Sequence, residues 1–382
     1  MTTDTAGYQA RRETITLPEV APGTARQLQV YRYGQAGARP KVYLQAGLHA
    51  DELPGMLALH HLLATLDQDQ VAGRITGEIV VVPVANPIGL SQTVNTTLLG
   101  RYEIGSGSNF NRDYPDLAEL VGDGLGDRLG ADATANVAAI RGAMTAALAD
   151  MKTESELAFL RLTLLRLSHD ADYVLDLHAD TDAELHLYMG PALWPDAGEQ
   201  LAGDMAATVT LLAEISGGNP FDEAVSGPWW ALAKRFPDHP IPSACFAATV
   251  ELRGGNLVED ELAASDAAGL HRFLQRRGAI AGDPGPLPDR IHPATPLAGL
   301  EPIKAPVPGL IVYHVPLGAV VTPGTVIAEM VNPTGGRTPV VCHSAGRVFA
   351  RTEQRFTRPG YRVAKIASAT ALPERTGKLL GD

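Results

Sequence analysis

The strongest constraint on this chain is that its most apolar segments are short and do not alternate with polar residues. GEIVVVPVAN at 77–86 is apolar at successive positions, a pattern that suits a strand covered on both faces. KVYLQAG at 41–47 reads as another buried strand running into a loop, with DYVLDLHAD at 172–180 and AATVELRG at 247–254 as later ones. Helical stretches lie between them. LPGMLALHHLLATLDQ begins at Leu53, with Pro54 tolerated in a first turn whose N–H has no intrahelical partner, and Ala- and Leu-rich patterning fills 133–168. Strands alternating with helices over nearly 290 residues predict one α/β domain.

From about Pro302 the texture changes. Short β-branched segments are punctuated by Pro-Gly pairs, and an internal repeat appears: TPGTVIA at 322–328 echoes RPGYRVA at 358–364, and PVPGLIV at 306–312 echoes HSAGRVF at 343–349. Two copies with hairpin-like turns predict a small two-fold β-sandwich, with 285–300 as the connector. With 382 residues, 45% of them hydrophobic, the chain is long enough for both units to have unstapled cores. Its two cysteines, Cys245 and Cys342, exclude a disulfide framework and a Cys-based zinc site, and Cys245 in ACFAATV reads as a buried small hydrophobe. The formal net charge of -12 argues against a nucleic-acid partner. No apolar stretch approaches the roughly 18 residues of a membrane helix. The N-terminal MTTDTAGYQARRETITLPEV has no signal-peptide core, so a cytoplasmic, soluble protein is expected.

Chemistry concentrates at strand ends. His49-Ala-Asp-Glu52 follows the strand KVYLQAG at a helix entrance, where an imidazole and a carboxylate three residues apart can turn toward one ion. Read alone, the pair is a weak signal, and a surface His with a helix-capping acid is the plainer reading. His178 closes VLDLH and is placed to supply a third ligand, with Asp176 on the same face to orient it. Two His and one Glu with an open position form the ligand set of a catalytic zinc site. Glu251 in ATVELRGG is a carboxylate in an apolar strand, so it either has a partner, for which Arg253 is the candidate, or serves the site. Asn111 and Arg112, in Ser108-Asn-Phe-Asn-Arg-Asp-Tyr-Pro115, suit carboxylate recognition, and Arg101 is a second cation.

The order H-x-x-E, Asn86-Pro87, F-N-R, D-L-H and V-E-L resembles the succinylglutamate desuccinylase/aspartoacylase family of zinc carboxypeptidase-like hydrolases, from about Lys41 to Gly254. The resemblance implies a central mixed twisted sheet flanked by helices in a catalytic α/β domain at 1–290, and a C-terminal β-sandwich or barrel domain at 300–372. It implies one zinc ion per chain on His49, Glu52 and His178, with Glu251 as general acid/base. Asn111 and Arg112 would bind the substrate carboxylate, Arg253 would be a further substrate contact, and Arg101 would polarise the scissile carbonyl. The implied activity is deacylation of a small N-acyl amino acid. The chain departs from the family in His-Ala-Asp-Glu at 49–52, in Tyr-Pro-Asp after Asn-Arg-Asp at 111–113, and in a long insert at 116–168 expected to reshape the pocket.

Two alternatives are a zinc carboxypeptidase acting on small peptides and a non-catalytic binding protein of the same fold. A lipoyl- or biotinyl-carrier role for the repeat fails because the hairpin Met330–Arg337 has no lysine. A structural or oligomer-contact role is its default, and Arg347, Arg351, Arg355, Arg358 and Arg362 read as a solvated or subunit-facing surface. His60, His61 and His186 read as packing or surface, and Tyr188, Trp229 and Trp230 as aromatic core before acyl pocket.

Overall fold

The computed structural model describes residues 11–288 and 293–380. The first ten residues of the N-terminal stretch, 289–292 of the connector and the last two residues lie outside the described part. The apolar runs become neighbouring strands of one nine-stranded mixed sheet. Across it run Arg11–Thr16, Gln27–Tyr33, Glu78–Val82, Lys41–Ala46, Tyr173–Asp180, Phe246–Gly254, His186–Met189, Val209–Leu212 and Thr295–Pro296. The four central strands starting at Glu78, Lys41, Tyr173 and Phe246 are parallel to one another and are buried along most of their length on both faces.

Successive residues of these strands feed two different cores. Val42, Leu44, Leu175, Leu177, Ala248 and Val250 pack with Leu59, Leu62, Leu270 and Phe273 from the helices Pro54–Val71 and Asp260–Arg276. Tyr43, Val80, Val174 and Ala247 turn the other way, onto Phe221 and Trp229 of the helix Phe221–Arg235 and Leu160 of Glu156–Ser168. The segment 116–168 forms three helices, Leu117–Gly122, Ala133–Asp150 and Glu156–Ser168, each opened by a side-chain cap from Asp116, Asp132 or Ser155. Cys245 belongs to this second core, where burial pushes its thiol up to about 12.

After residue 299 the repeat folds into two sheets around a shared apolar core that includes Ile311, Ile327, Val348 and Ile366. Each copy supplies a long hairpin to one sheet: Gly309–Tyr313 pairs with Val326–Val331, and Gly346–Arg351 with Arg362–Ala367. Each also sends a two-residue strand to the other sheet, Val320–Val321 onto Gly346–Arg351 and Phe356–Thr357 onto Gly309–Tyr313. This exchange is the structural form of the two-fold repeat in the sequence. The chain also interleaves its two parts. Thr295–Pro296 adds an edge to the large sheet, while Asp182–Ala183 adds one to the C-terminal sheet through Gly346–Arg351.

Of the terminal arginines, Arg355, Arg358 and Arg362 are exposed as expected, whereas Arg347 and Arg351 turn to acids of the large domain. Arg351 pairs with Asp182 at 2.8 Å and Arg347 approaches Glu184 at 3.5 Å. Lys365 pairs with Asp180. These contacts fasten the C-terminal sheet to the segment just after His178. Among the described residues no helix is long and apolar enough to cross a membrane.

Two measurements check this packing. Phe273 is fully buried and meets the Tyr173 ring edge-on, with centroids 5.9 Å apart. Phe273→Ala should cost about 3–5 kcal/mol in urea unfolding, and a loss below about 1 kcal/mol would show a looser core. His186 is fully buried beside the Phe349 ring, and burial lowers its pKa to about 4 although Asp180 pulls the other way. The unfolded chain takes up a proton below its ordinary value near 6.5, so this stabilisation is complete above that pH. It is lost as the pH falls toward 4, up to about 3 kcal/mol. Unfolding followed from pH 7 to 4.5 should fall less steeply for His186→Gln than for the parent, and identical slopes would assign the acid sensitivity elsewhere.

Candidate metal centre and cleft

Gly47 ends its strand with φ +68, and a Cβ there would sit 2.2 Å from the Met56 Cε. Only glycine makes this turn at no steric cost, and the turn carries the following loop over the carboxyl ends of the parallel strands. Asn86 fixes that loop by donating Nδ2–H to the Leu48 carbonyl at 2.8 Å while accepting from the Gly89 N–H at 2.8 Å. The Asn-Pro motif is thus a buried clamp beside His49. The Glu52 N–H closes the turn on the His49 carbonyl at 3.1 Å, and the helix then begins at Pro54.

Glu52 bridges the two imidazoles. Its Oε1 lies 3.0 Å from His49 Nδ1, and its Oε2 lies 2.7 Å from His178 Nδ1. One donor atom from each of the three, all buried, falls within 4.8 Å of the others. The outward nitrogens are held as metal-ligating imidazoles usually are. His49 Nε2 meets Asn109 Oδ1 at 2.9 Å, and His178 Nε2 meets Asp176 Oδ2 at 2.9 Å. The line continues inward, with Gln45 donating to Asp176 Oδ1 at 2.9 Å and the Tyr43 hydroxyl donating to Gln45 at 2.8 Å. Tyr43, Gln45, Asp176 and His178 share a sheet face because alternate residues do, and the register puts Gln45 directly across from Asp176.

The electrostatics follow from this crowding. Burial works against charge on His178, yet Asp176 and Glu52 together hold its pKa well above the ordinary value. Burial, aided by Arg101, lowers His49 to about 4 in spite of Glu52. Burial also opposes ionisation of Glu52, but the imidazoles prevail and keep its carboxyl well below the usual range. Arg101 donates Nη1–H to Glu52 Oε1 at 2.8 Å from the cleft wall.

Glu251 stands opposite His178 on one neighbouring strand and His186 on the other. Its Oε2 is buried with no hydrogen-bond partner. Burial first, then the charge of Glu52, push its pKa up to about 8, with His178 pulling the other way. Asn111 accepts the Phe221 N–H at 2.8 Å, and Arg112, 6% exposed, donates to the Asn111 carbonyl at 2.7 Å. His49, Glu52, His178, Glu251, Arg101, Asn111 and Arg112 all line one cleft that opens to solvent.

Arg253 is not among the residues lining it. The strand register breaks after Glu251, Arg253 takes φ +62, and its guanidinium grips Asp266 at 2.6 and 2.9 Å. The expected pairing with Glu251 is therefore replaced by one with the helix Asp260–Arg276. The 116–168 segment does not reshape the cleft either, since among the described residues none of its side chains lines it. Its helices pack on Phe221–Arg235 and on one another. Tyr188 and Trp230 do line the cleft, whereas Trp229 is core. Sequence reading missed Asn109, although it sits in the same short motif as Asn111, and it missed Arg362 and Lys365, which come from the C-terminal sheet. Only the long-range fold brings those two into the cleft.

Residues 38–151 match the catalytic-domain model of the succinylglutamate desuccinylase/aspartoacylase family, a span that contains His49, Glu52, Asn111 and Arg112. The fold is similar to that of a crystallised protein of Shewanella amazonensis described as belonging to this family. Identity is 26% over 94% of this chain and 98% of that one, with a TM-score of 0.81. A counterpart from Shewanella frigidimarina gives 24% identity, the same coverage and the same TM-score. The ectoine utilization protein EutE (DoeB) of Ruegeria pomeroyi, crystallised with product, gives 19%, coverage of 94% and 95%, and 0.66. The last two likenesses speak to fold alone. Sequence comparison with curated proteins finds no match. Both the matched segment 38–151 and the fold therefore resemble the succinylglutamate desuccinylase/aspartoacylase family of hydrolases.

Proposed function

We propose that this chain is a zinc-dependent deacylase of carboxypeptidase-like architecture, hydrolysing the amide bond of an N-acyl amino acid or a related small carboxylate. The observation that supports this best is the buried convergence of His49, Glu52 and His178 in a cleft that also holds Glu251. The donor set fits zinc: two imidazoles and one carboxylate, the imidazoles oriented from behind by Asn109 and Asp176. A zinc ion held there supplies a Lewis acid beside the scissile carbonyl and makes water nucleophilic near neutral pH.

The chain's own groups carry the remaining work. Glu251, with its proton affinity raised toward neutral pH, accepts the proton of the attacking water as the new C–O bond forms. It returns that proton to the nitrogen as the C–N bond breaks, so the amine departs neutral and the acyl group leaves as a carboxylic acid, which releases the second water proton to solvent. Arg101 shifts from Glu52 toward the developing oxyanion, where a donor is worth about 3–4 kcal/mol. Asn111 and Arg112 hold the substrate carboxylate. We assign the catalytic domain to 1–290 and the β domain to 300–372, with Arg362 and Lys365 reaching from the latter into the cleft wall.

Glu251→Gln keeps the shape of the side chain and removes its basicity. Zinc content should match that of the parent by elemental analysis while kcat on N-acyl amino acids falls by about 10²–10⁴. Turnover within a few fold of the parent would remove Glu251 from this role.

A further inference from the structure

We infer that the segment 368–380 is a strap that walls off one end of the cleft, and that Leu380 on it sets how long an apolar group the substrate carries there. This rests on the hydrolase reading above and deepens it. Beyond the last strand, Arg362–Ala367, the described residues form no further helix or strand, and the chain doubles back from the C-terminal sheets to the large domain. Its first hold is on the turn before those sheets. There the Ser368 and Leu372 N–H groups donate to the Gly299 and Ala298 carbonyls at 3.1 and 2.9 Å. Its second hold is the Ser216 carbonyl, which accepts the N–H groups of both Leu379 and Leu380, at 2.8 and 3.1 Å. Ser216 is 4% exposed and lines the cleft, so this second hold is part of the cleft wall.

The landing place is shaped for this contact. Gly217 has φ +108, and a Cβ there would lie 2.6 Å from Lys378 Cγ and 3.2 Å from its Cα. Glycine is what lets the strap pass so close. From 373 to 377, among the described residues, no backbone group bonds to anything outside the strap. Within it, the Arg375 guanidinium donates to the Leu379 carbonyl at 2.6 Å. So few polar ties leave the seating to hydrocarbon, and make the strap easier to displace than the sheets it crosses. Leu379 and Leu380 pack on a cluster that includes Tyr188, Leu211 and Leu297, together with Ala213. Those four residues also line the cleft, and so does Leu380.

Strand register places this apolar wall relative to the reacting groups. His186 stands opposite Glu251, and Tyr188 opposite Thr249, two residues along the same strand pair and on the same face. An apolar group on the substrate therefore runs from Glu251 past Tyr188 toward Leu380. The cations on this side do not change its character, since Lys365 pairs with Asp180 and Arg362 is exposed to solvent. A polar group against Leu211, Leu297 and Leu380 would lose its water without gaining a partner. The length of the hydrocarbon is bounded by a leucine that the strap supplies and the sheet does not.

The test uses the zinc-loaded full chain and two matched series. One holds the acetyl, butanoyl and hexanoyl derivatives of the amino acid that the parent deacylates fastest, the other the N-acetyl derivatives of alanine, norvaline and norleucine. In at least one series Leu380→Ala should raise kcat/KM for the longest member relative to the shortest by about tenfold or more, and Leu380→Trp should lower it. Gly217→Ala, which lifts the strap and leaves the leucine intact, should move the ratio in the same direction as Leu380→Ala. Zinc content and thermal melting show whether each variant is folded. If Gly217→Ala does not fold, Leu379→Ala loosens the same hold in its place. Unchanged ratios in the folded Leu380 variants overturn the inference, and so does a shift that the loosened strap does not share. If the parent deacylates no amino acid derivative, the hydrolase reading fails, and the alanine-to-norleucine series serves as uncleaved ligands in calorimetric titration. A gain in affinity for the longest member in Leu380→Ala then sustains the inference, and equal affinities refute it.

Discussion

The structure is organised around charge that the protein alone does not balance well. Glu52 lies between two imidazoles, Asp176 stands behind one of them, and Glu251 faces the same space from the next strand. Putting so many ionisable groups in a poorly hydrated place is unfavourable unless a cation joins them. Asp176 and Glu52 both favour the protonated form of His178. A divalent ion would displace that proton, so metal binding should be coupled to proton release.

The fold holds the competing groups in place through the parallel strands. Gln45, Asp176 and Thr249 lie side by side across three of them, and His178 and Glu251 sit one step further toward the carboxyl ends. The glycine turn at 47 and the Asn86 clamp then fold the loop with His49 and Glu52 over those ends. The C-terminal sheets belong to this arrangement. Their ion pairs to Asp180 and Asp182 grip the chain immediately beyond His178, and Arg362 and Lys365 form part of the cleft. A unit that reads in sequence as an appended repeat contributes to the site wall.

Much of this was legible in the sequence, and for physical reasons. Unbroken apolar runs revealed the covered parallel strands, and residues at strand ends pointed to His49, Glu52 and His178, which the fold brings within 4.8 Å of one another. The face shared by Asp176 and His178 followed from strand periodicity. Arg253 misled because the two-residue spacing from Glu251 holds only in regular strand, and the chain leaves strand geometry there with a positive φ. The 116–168 segment misled because its length suggested proximity to the pocket, whereas its apolar positions bury it on a helical layer away from the cleft. Arg362 and Lys365 carry no local signal at all. Their roles depend on contacts between residues more than a hundred positions apart.

The account stands on a cation seated between His49, Glu52 and His178. Anomalous diffraction at the zinc edge, from crystals of protein purified without chelator, tests it most directly. The expected result is one zinc peak per chain, about 2.0–2.2 Å from an imidazole nitrogen of each histidine and an oxygen of Glu52, and no peak there in His178→Ala. Stoichiometric zinc bound by other residues, or a peak that persists in the variant, would contradict it.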